Sequence, residues 1–244
     1  MSDPVPQGRC QTLSLLIIAG RTRPLSQKRV AFQSACPFAE ERATFEPVPR
    51  RPRIEIPGGY FNLAACSFDG TFIFREAADR LSFLALLERT LETYKWQCQS
   101  YCLMGTHFHL IVRTMRASLS RGMQALCGTY GLRFNKRHER KGKLFGRRFL
   151  GVPIESDRHL LEAHRYVARN PVRAGLCEAP RDWRWSSYRQ VLDLEIPRAF
   201  LDIDGILKLF DDRPAIARDS FCSFIEDPRG QPLGEFKLAE TEGV

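Results

Sequence analysis

Two histidines separated by one bulky apolar residue, His107-Phe108-His109, stand at the start of a β-branched run. Side chains alternate between the two faces of a strand, so we expect both imidazoles on one face and Phe108 in the core. Two imidazoles side by side on a strand can hold a divalent ion. A pair of partly buried histidines with ordinary hydrogen-bond partners explains the same pattern, and this stretch alone leaves both interpretations open.

A second pair of chemically capable side chains, Tyr166 and Asn170, lies four residues apart on an expected helix and shares one face. The phenol can act as a nucleophile, and the amide oxygen suits a hard cation. A tyrosine packed on a sheet is the commoner structural explanation. Together with His107 and His109, however, Tyr166 and Asn170 provide the side chains that one reaction needs. A divalent ion held by the imidazoles and the amide polarises a phosphate oxygen, while the phenol attacks the phosphorus.

A strongly basic stretch lies between these two pairs. Residues 131–150 contain eight Lys or Arg and a single acidic residue, with aromatic residues interleaved. This composition is typical of a groove that follows phosphates and stacks bases. A solvated helix end is the alternative, but it gives no use to Phe145 and Phe149. The predicted nucleic-acid-binding residues are Arg133, Lys136, Arg137, Arg140, Lys141, Lys143, Arg147 and Arg148.

Charge and cysteine content restrict the class of protein. The 244 residues carry a net charge of +9, yet residues 193–244 hold 6 Lys or Arg against 12 acidic residues. The first 192 residues therefore carry 31 minus 16, or +15, which suggests a polyanionic partner, although a surface kept basic for solubility explains the charge equally well. The eight cysteines form no CxxC pair and are typical of core residues in a reducing cytosol. No apolar run of about eighteen residues occurs, so we expect no membrane partner.

Periodicity predicts the elements that must position these residues. A strand, a helix, a hairpin of two strands, a helix that buries Tyr130, a strand and a final helix follow one another. Pro171 is expected to end the last helix, leaving Asn170 at its final position. The order predicts an α+β fold with a ferredoxin-like or RRM-like antiparallel sheet and helices packed on one face. The predicted spans are residues 60–66, 76–94, 97–104, 107–113, 118–136, 149–155 and 156–170.

Composition also divides the chain. Residues 1–50 have no sustained period and are predicted to be a poorly ordered extension. Residues 51–192 are predicted to form the catalytic domain, closed by Trp183, Trp185 and Tyr188. Residues 193–244 are predicted to be an acidic helical segment whose end, beyond Pro228, is disordered.

The domain resembles the single-tyrosine HUH transposases, and within them the REP-associated tyrosine transposases, from about Pro52 to Tyr188. The resemblance is carried by an ordered set of motifs rather than by any one of them. Relatives usually have Pro-Asn where this chain has Gly105-Thr106. The motifs are Arg53-Ile54-Glu55-Ile56-Pro57-Gly58-Gly59, Tyr101-Cys102-Leu103-Met104 before His107-Phe108-His109, Phe134-Asn135-Lys136-Arg137-His138, Arg147-Arg148-Phe149, Tyr166-Val167-Ala168-Arg169-Asn170-Pro171 and Trp183-Arg184-Trp185-Ser186-Ser187-Tyr188.

This resemblance implies a ferredoxin-like core that cuts and rejoins single-stranded DNA near hairpins with Mg²⁺ or Mn²⁺, through a 5′-phosphotyrosine on Tyr166. His107 and His109 match the family's metal-binding pair, and Asn170 falls where relatives complete the metal site. It further implies DNA transposition by a cytoplasmic, nucleoid-associated bacterial protein acting as a monomer or homodimer. Two alternatives stay open. One is a non-catalytic, domesticated binder of hairpin DNA or RNA, and the other is a metal-dependent nuclease that uses water in place of Tyr166.

Overall fold

The computed structural model describes residues 55–146 and 148–227. The predictions for residues 1–50, for Arg147 and for the tail beyond Pro228 lie outside the described residues. No helix in the described ranges combines the length and the apolarity needed to cross a membrane. The elements are β1 (Tyr60–Cys66), α1 (Ala77–Tyr94), β2 (Trp96–Leu103), β3 (His107–Thr114), α2 (Leu119–Arg137), β4 (Leu150–Ile154), α3 (Asp157–Arg173), α4 (Tyr188–Val191), α5 (Ile203–Leu207) and α6 (Pro214–Glu226).

The four strands form one antiparallel sheet in the order β2-β3-β1-β4. This is the predicted α+β arrangement, in which each of the two β-α-β units brings its strands into a shared sheet. β3 lies between β2 and β1, so hydrogen bonds fix its backbone on both sides. In the β1–β3 register, Cys66 lies opposite His107 and Ala64 lies opposite His109. The strand that begins with the two histidines is therefore an interior strand.

The helices cover both faces of this sheet. α1 and α2 pack on one face, as expected, and bury Phe108 against Phe83 with ring centroids 4.6 Å apart. α3 lies on the other face, where Val167 packs in a smaller cluster with Cys102 and Ile111. The histidines share this second face, because side chains alternate along β3. The helix that carries Tyr166 and the strand that carries the imidazoles thus meet on one side of the sheet.

The starts of α2 and α3 both have a serine at the N-cap position, but only one of the two serines caps its helix through its side chain. Ser156 begins α3 as predicted, since its hydroxyl accepts a hydrogen bond from the backbone N–H of His159. Ser118 occupies the N-cap position of α2, but its side chain makes no capping hydrogen bond. The Ser118 hydroxyl bonds Tyr94 and the Trp96 indole, and the carboxylate of Glu55 accepts from the Ser120 N–H. The first turn of α2 is therefore anchored by the segment that precedes β1.

The chain after α3 covers the edge of β2 and then returns to α3. The backbone N–H of Leu103 donates to the Trp185 carbonyl, and the Trp183 indole donates to the Leu103 carbonyl. The segment with these tryptophans, predicted to close the domain, therefore covers the edge of β2. α6 packs on α3, and Arg169 of α3 donates to the carbonyl of Ile225. The acidic C-terminal helices therefore support the helix that carries Tyr166.

Candidate active site

His107 and His109 stand at the first and third positions of β3, and their imidazole centroids are 5.1 Å apart. The ring of His109 is buried and that of His107 is half-buried. The predicted strand, the shared face and the inward position of Phe108 are all present. The sheet thus presents two imidazoles side by side on a backbone that is hydrogen-bonded from both neighbours.

Asn170 lies over this pair from α3. Its amide oxygen is 3.4 Å from Nε2 of His107, and its amide nitrogen is 3.1 Å from Nε2 of His109. One side chain from a distant part of the sequence therefore bridges both rings through the same ring nitrogen of each. We call His107, His109 and Asn170 the His-pair site.

The surroundings hold both imidazoles neutral. Burial lowers the pKa of His107, and the hydrogen bond that the Asn170 amide oxygen accepts from its ring only partly offsets this effect. The pKa of His109 is lowered well below its ordinary value by burial, and further by the neighbouring charges of His107 and Arg173. Neutral imidazoles keep a ring-nitrogen lone pair, which is the form that binds metals.

The donor set fits a divalent ion. Adjacent ligands about 2.1 Å from one octahedral ion lie roughly 3 Å apart, which is close to the 3.4 Å between the amide oxygen of Asn170 and Nε2 of His107. Nδ1 of His107 is 3.2 Å from the hydroxyl of Thr106. A hydroxyl that accepts the Nδ1 proton leaves the Nε2 lone pair facing the site, as metal-binding histidines require. Two imidazoles and one amide oxygen therefore offer three ligand atoms and leave positions open.

Tyr166 lies beside these residues in the same chain. Its ring centroid is 5.3 Å from that of His109, with the two planes at 89°. Burial raises the pKa of the phenol, whereas the charge of Arg173 and a hydrogen bond with Asn170 lower it. The Arg173 guanidinium carbon is 5.1 Å from the Tyr166 ring centroid. A cation and a hydrogen-bond donor thus favour the phenolate within an otherwise buried setting.

The prediction that Pro171 ends the helix is wrong. α3 continues to Arg173 with Pro171 inside it, although the proline ring removes one backbone donor. Asn170 consequently lies within the helix, and its carbonyl accepts from the N–H of Ala174. The helical backbone holds the amide one full turn from Tyr166.

The basic stretch divides into two parts when it is placed on the structure. Arg137 is bound to Glu76 at 3.3 Å, and Arg140 donates to the Lys143 carbonyl and shapes its own loop. These two cations are already engaged. The described members of the predicted set that are exposed and not engaged in this way are Arg133, Lys136, Lys141, Lys143 and Arg148.

The aromatic residues of this stretch do not serve as predicted. Phe134 is buried in the main core. Phe145 packs against it, with its centroid 6.1 Å from Phe108 and 6.3 Å from Tyr130. Phe149 packs against the same core. The sequence interpretation of Phe145 and Phe149 as base-stacking residues is therefore wrong, because the loop uses them to attach itself to the domain.

The end of the basic stretch reaches the border of the His-pair site. Phe145 forms an isolated antiparallel bridge with Ser67, and the N–H of Gly146 donates to the carbonyl of Cys66. Cys66 is the cross-strand neighbour of His107. The sequence predicted these two regions separately, and the fold makes them continuous.

A second group of metal-ligand residues lies at the other face. Within the described part of the chain, Glu76, Asp79 and His138 place ligand atoms within 4.8 Å of one another, and we call them the Asp79 cluster. The Asp79 carboxylate already accepts from two backbone N–H groups at the start of α1, at 2.9 and 3.2 Å. His138 contacts both of its oxygens at 2.9 and 3.0 Å, and Arg137 lies 3.8 Å away. These contacts join the start of α1 to the end of α2.

Sequence reasoning missed Thr106 and Arg173. Thr106 belongs to the turn before β3, and its position next to His107 puts its hydroxyl beside the imidazole ring. Arg173 lies seven residues after Tyr166, which places both on one helix face, so the spacing could have indicated it. The Asp79 cluster gave no local signal, because His138 is 59 residues from Asp79.

The comparisons with known proteins agree with this geometry. Residues 69–170 match the family model described as Transposase IS200 like, a span that contains the His-pair site and Tyr166. These residues are similar to an IS200-like transposase domain. The resemblance stated from the sequence is confirmed.

Two relatives extend the comparison beyond the family model. The chain is 24% identical over 127 residues, covering 47% of this chain and 71% of its relative, to a Haemophilus influenzae protein that bears the name REP-associated tyrosine transposase. A solved structure of a REP-associated tyrosine transposase bound to a REP hairpin shares the fold. Its TM-score is 0.50 at 15% identity, and the match covers 64% of this chain and 90% of that chain.

Proposed function

We propose that this protein cuts and rejoins single-stranded DNA beside a hairpin, forming a 5′-phosphotyrosine on Tyr166. The observation that carries the proposal is the convergence of Tyr166, His109 and Asn170 in one chain, with the phenol ring 5.3 Å from an imidazole. The solved relative bound to a REP hairpin supports hairpin DNA as the partner. The transposase domain supports an enzyme over a passive binder.

The His-pair site is the proposed place for Mg²⁺ or Mn²⁺. His107, His109 and Asn170 would hold the ion, which when bound supplies Lewis-acid polarisation of a non-bridging phosphate oxygen. The protein contributes two imidazoles that burial keeps neutral. We assign no metal to the Asp79 cluster, because its carboxylate oxygens are already used by backbone N–H groups and by His138.

The phenol oxygen of Tyr166 forms a bond to phosphorus, and the bond between phosphorus and the 3′ oxygen of the preceding nucleotide breaks. The phenol proton is released, and the departing oxygen becomes a free 3′-hydroxyl. Arg173 favours the phenolate that must form, because its guanidinium lies over the ring. Rejoining is the reverse step, in which a 3′-hydroxyl attacks and the phenol departs. The aryl phosphodiester retains the energy of the broken bond, so no nucleotide cofactor is consumed.

The exposed cations of the basic stretch are the proposed phosphate contacts. Their loop ends beside Cys66, the neighbour of His107, so a strand bound there leads toward the His-pair site. A DNA partner places the protein in the bacterial cytoplasm. The DNA would bind residues 51–192, which are the proposed catalytic domain. The residues are Arg133, Lys136, Lys141, Lys143 and Arg148.

One assay separates the proposal from its alternatives. The protein is incubated with Mn²⁺ and an end-labelled DNA hairpin that has an unpaired tail, and the products are run on a denaturing gel. The proposal expects a covalent adduct with wild type and none with Tyr166→Phe. Cleavage that survives Tyr166→Phe identifies a nuclease that uses water, and binding without any cleavage identifies a non-catalytic binder.

A further inference from the structure

The loop between β1 and α1 exposes two aromatic rings at the border of the His-pair site. Phe68 is 62% exposed and Phe72 is 54% exposed, whereas the next residues, Ile73 and Phe74, are buried. Burying a phenylalanine side chain stabilises the folded state. Two exposed rings four residues apart forgo that stabilisation, which makes them candidates for contact with a ligand.

The backbone of this loop is held on both sides of the rings. The N–H of Ser67 donates to the carbonyl of Thr106, and that of Phe68 donates to Leu144. At the other end, the N–H of Ile73 donates to the carbonyl of Gly105. The loop is therefore bonded both to the turn that leads into His107 and to the end of the basic stretch. The exposure of the rings follows from a fixed backbone.

Phe72 lies directly on the turn before the histidines. A Cβ atom added at Gly105 would lie 2.7 Å from the Phe72 ring, so the ring occupies space that only glycine leaves free. Gly105 is two residues before His107. Phe68 is two residues after Cys66, the cross-strand neighbour of His107. Both rings thus border the position where a phosphate would meet Tyr166.

Charge next to the rings selects the kind of ligand. Lys143 is exposed and precedes Leu144, whose carbonyl accepts from the Phe68 N–H. Arg148 is exposed at the far end of the same segment. The loop's own carboxylate, Asp69, is bonded to Thr71 and has its pKa lowered by those bonds and by the charge of Arg140. Exposed aromatic faces bordered by cations are the combination that binds single-stranded nucleic acid.

We propose that Phe68 and Phe72 form a stacking surface for unpaired bases of the DNA strand that enters the His-pair site. This inference rests on the proposed function, because it takes single-stranded DNA as the substrate. It assigns to this loop the stacking role that the sequence had placed on Phe145 and Phe149. The surface positions the DNA strand by stacking on its bases, while Lys143 and Arg148 contact the phosphates of the strand.

The test uses a DNA hairpin with an unpaired tail that carries 2-aminopurine, moved one position at a time along the tail. Binding is measured to the Tyr166→Phe protein, which retains the surface and cannot form the adduct. We expect fluorescence quenching at one or two tail positions. Replacing both rings by alanine removes the quenching and weakens tail binding by roughly 5- to 100-fold for each ring that stacks a base. Replacing both by tyrosine restores both signals.

Two controls keep the result specific. Ile196 is 89% exposed and lies outside the site, so Ile196→Ala should leave quenching and affinity unchanged. A hairpin without the tail should bind the double-alanine protein as it binds the parent. Ring variants that behave like Ile196→Ala overturn the stacking surface even when wild type forms the covalent adduct. Ring-dependent quenching together with no adduct from wild type supports the surface and overturns the covalent chemistry instead.

Discussion

Two clusters in the described part of the chain combine histidine with oxygen-bearing side chains. They differ in the hydrogen bonds that already occupy the lone pairs of these side chains. In the Asp79 cluster the carboxylate accepts from two backbone N–H groups and contacts both His138 and Arg137. In the His-pair site, two neutral imidazoles direct the same ring nitrogen toward one amide. Residue type alone would rank the Asp79 cluster as the better metal site, since it contains two carboxylates.

The difference shows that the existing hydrogen bonds of a cluster decide its use. A carboxylate that caps a helix and binds a histidine stabilises the fold, and a metal would have to displace those partners. Imidazoles held neutral by burial keep a ring-nitrogen lone pair, and an ion bound there would replace only their contacts with the Asn170 amide. We therefore assign structure to the Asp79 cluster and chemistry to the His-pair site.

The largest expected difference between the clusters is in cleavage. His107→Ala should lower DNA cleavage by at least about 100-fold, since loss of a ligand removes several kcal/mol of transition-state stabilisation. Hairpin binding should remain near the wild-type value. The matched variant His138→Ala should cleave at nearly the wild-type rate per folded molecule. Equal loss of hairpin binding and cleavage in His107→Ala would mean that the histidines are structural.

The next difference is in stabilisation by metal. At a Mn²⁺ concentration 100 times its dissociation constant, wild type should gain about 2.7 kcal/mol of unfolding free energy. His109→Ala should lose this gain, and Asp79→Asn should retain it, as measured by thermal unfolding with and without Mn²⁺. The reverse pattern would move the metal to the Asp79 cluster.

Removing the Asp79 carboxylate should reduce stability without metal. Asp79→Ala leaves two N–H groups at the start of α1 and the buried side of His138 without an acceptor, at a cost of about 2 to 3 kcal/mol. Urea unfolding measures the change. His107→Ala serves as the comparison and should cost less, because its partners Thr106 and Asn170 are not deeply buried. A loss under about 0.5 kcal/mol in Asp79→Ala would contradict the structural role.

A third histidine, His164, should make stability depend on pH. It is buried on α3, neither ring nitrogen has a hydrogen-bond partner among the described residues, and burial lowers its pKa to about 3. Its ordinary value is 6.5, so the unfolded chain binds this proton first as the pH falls. Its contribution to stability is present above pH 6.5 and is lost toward pH 3. At pH 5 the loss should be about 2 kcal/mol.

The variant His164→Leu isolates this effect. Urea unfolding at pH 7.5 and at pH 5 should show a smaller decrease in unfolding free energy for the variant than for wild type. Other groups titrate in both proteins, so the difference between the two decreases is the informative quantity. Equal decreases would show that His164 is accessible to protons in the folded state.

The smallest expected effect separates exposed cations from paired ones. Arg148→Ala should reduce the slope of log affinity against log salt by about 0.7, the value for one contact with single-stranded DNA. Arg137→Ala should change the slope less, because Glu76 already neutralises this guanidinium. An unchanged slope for Arg148→Ala would place the DNA elsewhere.

Local patterns were sufficient to predict the sheet and most of the site. Alternation along β3 predicted the shared face of His107 and His109, and the four-residue spacing predicted that Tyr166 and Asn170 share one helix face. These follow from backbone geometry, which repeats along each element whatever lies around it. The face of the sheet that α3 would occupy could not be predicted from its own apolar stripe. That choice depends on Cys102 and Ile111, which belong to other strands.

Two predictions from local sequence patterns are wrong. α3 continues through Pro171 to Arg173 although the ring removes one backbone donor, and the pattern alone did not show how far the helix extends. Phe145 was interpreted as a base-stacking residue, yet its ring packs against Phe108 and Tyr130 of the core. The position of Phe145 depends on contacts between residues far apart in sequence.

The most direct test of the account is to mix two inactive variants. Wild type should form the covalent DNA adduct, whereas Tyr166→Phe, His107→Ala and an equal mixture of the two should form none. The account requires this result because Tyr166 lies beside His109 of its own chain. Adduct formed in the mixture on the His107→Ala chain would show a phenol acting at the imidazoles of another chain, and would contradict it.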